Sequence, residues 1–225
     1  MRAEAIEKLV NRPVKDTYGR YVGFVIGFSV ETTGELKSIG VDLGNGVFTE
    51  YPSSRLVSAT EGFIIIPAWK AECDSLGKGV EGVKKRARAL QELAREGEVP
   101  RSLFEEMTAK YNEEADRITD SYKTLAQEMV VRTQELDLQK ESLDRFLVNI
   151  KVQFRAGEID EGAYKVASES CQTMQKRNAQ EREELVRMMK LVTQPSGDQT
   201  QSNTAAIQAQ VQAQAPQVSV VQAPK

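Results

Sequence analysis

The chain has 225 residues, a formal net charge of −3 and a pI near 5.4, a balance that gives no global attraction to nucleic acid or anionic lipid. It contains no histidine, which removes the commonest general base and metal ligand, and its two cysteines, Cys73 and Cys171, lie far apart without a partner motif, as suits a reducing cytoplasm. Residues 1–10 lack the apolar core of a signal peptide and no apolar run approaches ~18 residues, so neither secretion nor a membrane-spanning helix is expected.

The first segment, residues 1–70, has the grammar of strands. Tyr21 to Val30 alternates, with Val22, Phe24, Ile26, Phe28 and Val30 on one face and Gly23 and Gly27 on the other. Thr32-Thr-Gly-Glu35 reads as a turn, Leu36–Leu43 as a strand, Asn45-Gly46 as a hairpin turn and Val47–Tyr51 as the returning strand. Ser53–Leu56 then makes a short helical turn and Gly62–Ile66 a last strand, so several short strands with tight turns predict a small barrel. The apolar run Phe63-Ile-Ile-Ile-Pro-Ala-Trp69 admits two readings, a membrane wedge tipped by Trp69 or a final strand whose exit packs Trp69 between barrel and rod; the run's short length favours the second. Leu9–Ile66 resembles the PRC-barrel family in Arg12-Pro-Val14, Tyr18-Gly-Arg-Tyr-Val-Gly-Phe-Val-Ile-Gly27, Ile39-Gly-Val-Asp-Leu43, Val47–Pro52 and Arg55-Leu56. That resemblance implies a fold and says little about function, because such barrels serve as adaptors in unrelated systems.

Lys70–Gly82 reads as a hinge-like connector, with Gly77, Gly79 and Gly82 tolerating bends, and a rod over residues 71–193 follows. Helices are expected at about 76–96, 100–155 and 160–193. In the second, Phe104, Met107, Tyr111, Ala115, Ile118, Tyr122, Leu125, Met129, Thr133, Leu136, Lys140, Leu143, Leu147, Ile150 and Phe154 recur at steps of three or four, the mark of one helical face. Roughly 55 uninterrupted residues make a helix of ~80 Å at ~1.5 Å per residue. Its flanks repeat each other: Arg95-Glu-Gly-Glu-Val99 before Phe104 matches Arg155-Ala-Gly-Glu-Ile159 before Tyr164, so Gly97 and Gly157 read as helix stops, Pro100 as a helix start and Asp160 as an N-cap. The flanking helices, with Val80, Val83, Ala87, Leu90 and Ala94 on one and Ala163, Ala167, Ser170, Met174, Asn178, Leu185, Met188 and Val192 on the other, together nearly equal the long one in length. Both can therefore fold back along it end to end as antiparallel hairpins. Thr133, Lys140 and Asn178 interrupt the stripes, either as register-fixing polar residues or as places where the stripe drifts off the contact.

Residues 194–225 change composition again. Gln194–Gln217 is rich in Gln, Ala, Ser and Thr with one charge, Asp198, and reads as a disordered tether. At its end Val218, Ser219, Val220 and Val221, bounded by Pro216 and Pro224, form the one strand-prone peptide of the tail, which either adds to an open sheet edge of a partner or is a frayed end. The order of barrel, rod and tail with a short apolar peptide resembles the CdvA family of archaeal cell-division proteins. The resemblance implies an α+β chain: a PRC-like barrel, an antiparallel coiled-coil rod and a disordered tail. It also implies a non-enzymatic scaffold that forms filaments with itself, recruits the ESCRT-III-like protein CdvB through Val218–Val221, assembles with double-stranded DNA and associates with the membrane at the mid-cell division site.

Two further groups of residues bear on that expectation. Lys84, Lys85, Arg86 and Arg88 are the densest basic cluster, and phosphate contacts need such clusters, although a solvated helix face is the commoner cause. Val130, Val131, Leu138, Phe146 and Val148 fall off the main stripe and are candidates for self-association. The carboxylates Glu105, Glu106, Glu113, Glu114 and Asp116 lie among Lys and Arg at helical spacings, with no histidine to complete a metal cluster, and neither Gly44-Asn-Gly46 nor Gly77-Lys-Gly79 has the spacing of a phosphate loop. No enzyme activity and no cofactor are expected. The rival reading is a discrete adaptor whose PRC-like barrel binds a ribonucleoprotein or another protein without polymerising.

Overall fold

The computed structural model describes residues 10–44, 46–59 and 62–193, and the expected partner peptide Val218–Val221 lies outside them. Six strands come first: β1 (Pro13–Asp16), β2 (Tyr21–Val30), β3 (Leu36–Asp42), β4 (Phe48–Pro52), then after a 3-10 turn at Ser53–Arg55, β5 (Leu56–Ala59) and β6 (Gly62–Ile65). Three helices follow: α1 (Ala68–Arg95), α2 (Arg101–Arg155) and α3 (Glu161–Thr193). The chain is thus α+β, a β domain followed by a helical rod.

The strands make one sheet in the order β4-β3-β2-β1-β6-β5, antiparallel except where β1 runs beside β6. It rolls around Val14, Val25, Leu36, Ile39, Val41, Phe63 and Ile65, all buried, with Val22, Phe28, Leu43, Tyr51 and Leu56 packed against them. Gly23 lies where β2 crosses closest to β3, since a Cβ there would sit 2.0 Å from the Asp42 carbonyl oxygen.

The face of β2 differs from the expected alternation. Register shifts between Val14 and Lys15 and between Val25 and Gly27 mark bulges. Each extra residue exchanges the inward and outward sides. Val25 is therefore fully buried while Phe24 and Ile26 are 48% and 50% exposed. On the outer surface the Phe48 ring lies over Gly40 beside Ile26, and Tyr21 meets Phe24 edge to face at 5.4 Å between centroids.

The rod is built on α2. Along α2 the expected stripe is turned inward: Leu125, Met129, Leu136 and Ile150 are buried, and Lys140 leaves the contact to pair with Asp144 at 2.8 Å. On α1, Cys73, Gly77, Gly79 and Arg86 lie opposite Leu125, Tyr122, Ile118 and Glu114 in turn, so α1 runs antiparallel to the first half of α2. The segment expected to be a connector is helical from Ala68. Its glycines sit within the helix, where Gly79 lets Ile118 approach to 3.2 Å of its absent Cβ. Helix α3 runs antiparallel to the second half, with Tyr164 stacked on Phe154 and Gln175 donating to Asp144 at 2.6 Å. Its inward residues Tyr164, Cys171, Asn178, Leu185 and Val192 are seven apart, so the face is turned from the expected one and Met174 is half exposed.

The two hairpin tips close alike. Glu98 N donates to Leu93 O at 3.0 Å and Gly97 N to Ala94 O at 3.2 Å; Glu158 N donates to Gln153 O at 2.9 Å and Gly157 N to Phe154 O at 3.1 Å. This is a Schellman motif at both ends, with glycine at φ 76° and 75°. After the first, the Pro100 carbonyl accepts from Phe104 N; after the second, Asp160 Oδ1 caps α3 by accepting from Ala163 N at 2.7 Å.

Candidate functional site

The start of α1 and the end of α3 meet over the middle of α2, and the barrel sits on that waist. Trp69 and Cys73 from α1, Leu125, Met129 and Leu136 from α2 and Leu185 from α3 form one apolar cluster, with Tyr18 from the barrel and Met188, Met189 and Val192 from α3 packed against it. Trp69 is thus buried between barrel and rod, and among the described residues no helix is long and apolar enough to cross a membrane.

A set of charged and polar side chains locks the same junction. It starts in the β1–β2 turn, where Asp16 Oδ1 accepts from the backbone N–H groups of Tyr18 and Arg20 and fixes the direction of both side chains. Tyr18 Oη donates to Glu184 Oε2 at 2.7 Å, and Lys70 Nζ donates to the other oxygen of that carboxylate, tying barrel, α1 and α3 together. Arg20 reaches Asp16 at 2.6 Å, Asn178 Oδ1 at 3.0 Å and Glu181 Oε2 at 2.5 Å. From α2, Arg132 forks onto both oxygens of Glu181 at 3.0 Å each and reaches Glu135 at 2.8 Å. Asn178 Nδ2 donates in turn to Gln139 at 3.0 Å, so this buried polar residue of the stripe is satisfied on both sides.

Burial by itself would push the Glu181 carboxyl up, but hydrogen bonds from Arg132 and Arg20 outweigh it and hold the group below the usual carboxylate value. Glu184 is held down in the same way, by Lys70 and Tyr18 against burial. The Arg132 guanidinium is raised, first by its bond to Glu181, and the Tyr18 hydroxyl is raised by burial and by donating to a carboxylate. Glu181 and Arg132, with Asp16 and Arg20, line a cleft of about 350 Å³ that is also lined by Tyr51, Arg55, Pro67 and Trp69. Asp16, Glu128 and Glu181 there balance Arg20, Arg55 and Arg132, so the cleft presents no net charge to a ligand. The arrangement is a clamp.

Sequence reading gave none of the clamp residues a part in joining barrel to rod. Glu181 looks like any solvated helical glutamate, and its one signal is its place three residues after Asn178 on the inward side of α3. The residues that were singled out as sites lie elsewhere. Lys84, Lys85, Arg86 and Arg88 are all exposed on α1; Arg86 lies 3.8 Å from Glu114, and the other three form no ion pair among the described residues. Val130, Val131, Leu138, Phe146 and Val148 are 45–64% exposed on α2. Val218, Ser219, Val220 and Val221 lie outside the described residues.

A rolled sheet clamped to the waist of an antiparallel helical rod defines the class, a β domain joined to a coiled-coil rod. The family model for the CdvA-like coiled-coil domain matches residues 68–215, covering all three helices. The chain is also 30% identical, over 182 residues, to Cell division protein A of Sulfolobus acidocaldarius, covering 81% of this chain and 76% of that protein. The chain belongs to the CdvA family.

Proposed function

We propose that the chain is a non-enzymatic, polymer-forming scaffold of archaeal cell division. Similarity to Cell division protein A supports the process. The observation that supports the scaffold is the outer face of α2, which carries Val131, Leu138 and Val148 at 55–64% exposure on the side opposite its buried stripe. A rod with apolar side chains on both faces is suited to pack against other rods. In this reading the barrel mediates assembly or docking through the Tyr21, Phe24, Ile26 and Phe48 surface, and the rod sets spacing. The Val218–Val221 peptide recruits the ESCRT-III-like CdvB to the division site at mid-cell, beside the membrane. Many such peptides on one polymer raise the effective concentration of a weak contact. Double-stranded DNA is a further ligand of the polymer, held by Lys84, Lys85, Arg86 and Arg88.

The same exposed aromatic surface on the barrel also suits a discrete adaptor that binds a ribonucleoprotein or another protein. Assembly state separates the two. Pelleting with negative-stain microscopy of the full chain should show filaments; a monomer or closed dimer at every salt and DNA concentration would leave the adaptor.

A further inference from the structure

Four exposed apolar residues of α2 keep coiled-coil spacing on the face turned away from α1 and α3. Val131, Leu138 and Val152 fall on one heptad position, and Val148 on the other; they are 55%, 64%, 60% and 57% exposed. Val130 borders this seam, whereas Phe146 lies about 110° away around the helix and takes no part in it. Gln134, on the second position, and two charged residues complete it. Arg145 occupies the first position and Glu141 the second, both at the surface and paired with each other at 3.4 Å. Further toward the start of α2 the same two positions hold Thr124, Arg117 and Lys110 and Gln127, Asp120 and Glu113, so the seam is confined to the half of the rod formed with α3.

We infer that this seam docks the same seam of a second copy, antiparallel, about a two-fold axis between Glu141 and Arg145. Charge decides the direction. A parallel, in-register pair sets Glu141 on Glu141 and Arg145 on Arg145, which repel. Antiparallel packing about this axis sets Glu141 against the partner's Arg145 twice and Leu138 against the partner's Val148 twice. Sliding by one heptad would exchange Leu138 for Val131 opposite the partner's Val148, but it would set Leu138 against Glu141 and Arg145 against Gln134, so both ion pairs are lost. The contact is isologous, so the same patch serves both copies and the surface is its own complement. Three heptads with two charged layers make a weak contact that by itself closes a pair, so a polymer joins such pairs through a second surface, for which the exposed Tyr21, Phe24, Ile26 and Phe48 of the barrel are suited.

The inference rests on the scaffold reading, and a mixing experiment separates the two. Glu141→Arg and Arg145→Glu each place like charges across the axis, and each should need roughly tenfold more protein to assemble in sedimentation velocity. In an equimolar mixture, a chain of one variant facing a chain of the other again sets opposite charges across the axis in both layers. The pair within each helix stays broken in both variants. Assembly at the wild-type concentration in the mixture alone, with unchanged helical circular dichroism throughout, is the expected result. A mixture no better than either variant, or two variants that assemble like wild type, overturns the seam and leaves the scaffold standing. A wild-type chain that stays monomeric overturns both.

Discussion

Glu181 shows how much one side chain can decide while being invisible in the sequence. Its side chain is 2% exposed and is held between Arg20 of the barrel and Arg132 of α2. Removing the carboxylate leaves two guanidinium groups partly buried without their partner, which costs more than the pair itself contributes. Glu181→Ala should therefore lower stability by ~2–4 kcal/mol in urea unfolding, a little under the fully buried range because the Arg132 side chain is 32% exposed. Acid should act on the same clamp. Glu181 and Glu184 sit below their ordinary value of 4.5 when folded, so their contribution is complete above that pH and drains away as pH falls through the lower folded values. Trp69, the single tryptophan, should report barrel release as a red-shifted emission as the pH is lowered below 4.5, while an emission unchanged throughout acid titration would contradict the clamp. Beyond its place three residues after Asn178, nothing in the residue string separates Glu181 from the other glutamates of α3, because a buried carboxylate is defined by partners that arrive from two other elements.

Hairpins, by contrast, were legible at the level of elements. The repeated Arg-x-Gly-Glu pattern predicted both helix stops, and φ values of 76° and 75° show why glycine stands there. Gly97→Ala and Gly157→Ala should each cost about 1–2 kcal/mol by thermal unfolding, as expected for a side chain forced into the left-handed region. Gly82→Ala is the contrasting case: it lies inside α1 with nothing within 4 Å of an added Cβ, and should stabilise by ~0.8 kcal/mol. The glycines near the start of α1 misled sequence reading for a related reason. Propensity marks them as a hinge, yet the contact with Tyr122 and Ile118 on α2 holds that stretch helical. In β2 the alternation was legible but the inward side was not, since a bulge of one residue turns Phe24 and Ile26 outward without changing the pattern.

At the scale of the molecule, the two halves of the rod present different surfaces. The half formed with α1 exposes Lys84, Lys85 and Arg88, and the half formed with α3 carries the apolar seam. Under the proposed function, DNA contact and rod pairing are then separable. Replacing Lys84, Lys85 and Arg88 with Glu should weaken DNA binding and reduce the magnitude of the slope of log K against log salt by roughly three, at about 0.9 per lost phosphate contact. DNA-free assembly in sedimentation should stay at the wild-type level. Length matching made this division legible: two short helices that together nearly equal the long one can both fold back along it, one on each half. Where the barrel would sit was not, because the Tyr18, Arg20 and Lys70 contacts join residues more than a hundred positions apart in the chain.

That seating has a mechanical consequence. Along most of its length the rod is two helices thick, and each half resists bending because neither helix can curve without stretching the other. At the waist the outer layer has a joint, where the start of α1 and the end of α3 lie side by side and are tied by Lys70 and Glu184, while α2 runs through unbroken. The barrel lies over this joint like a splint, with Tyr18 and Arg20 fastened to α3 and its last strand running directly into α1. Stiffness of the whole rod is set at the splint, so that loosening a few side chains there would turn a rigid strut into two arms that flex about their middle.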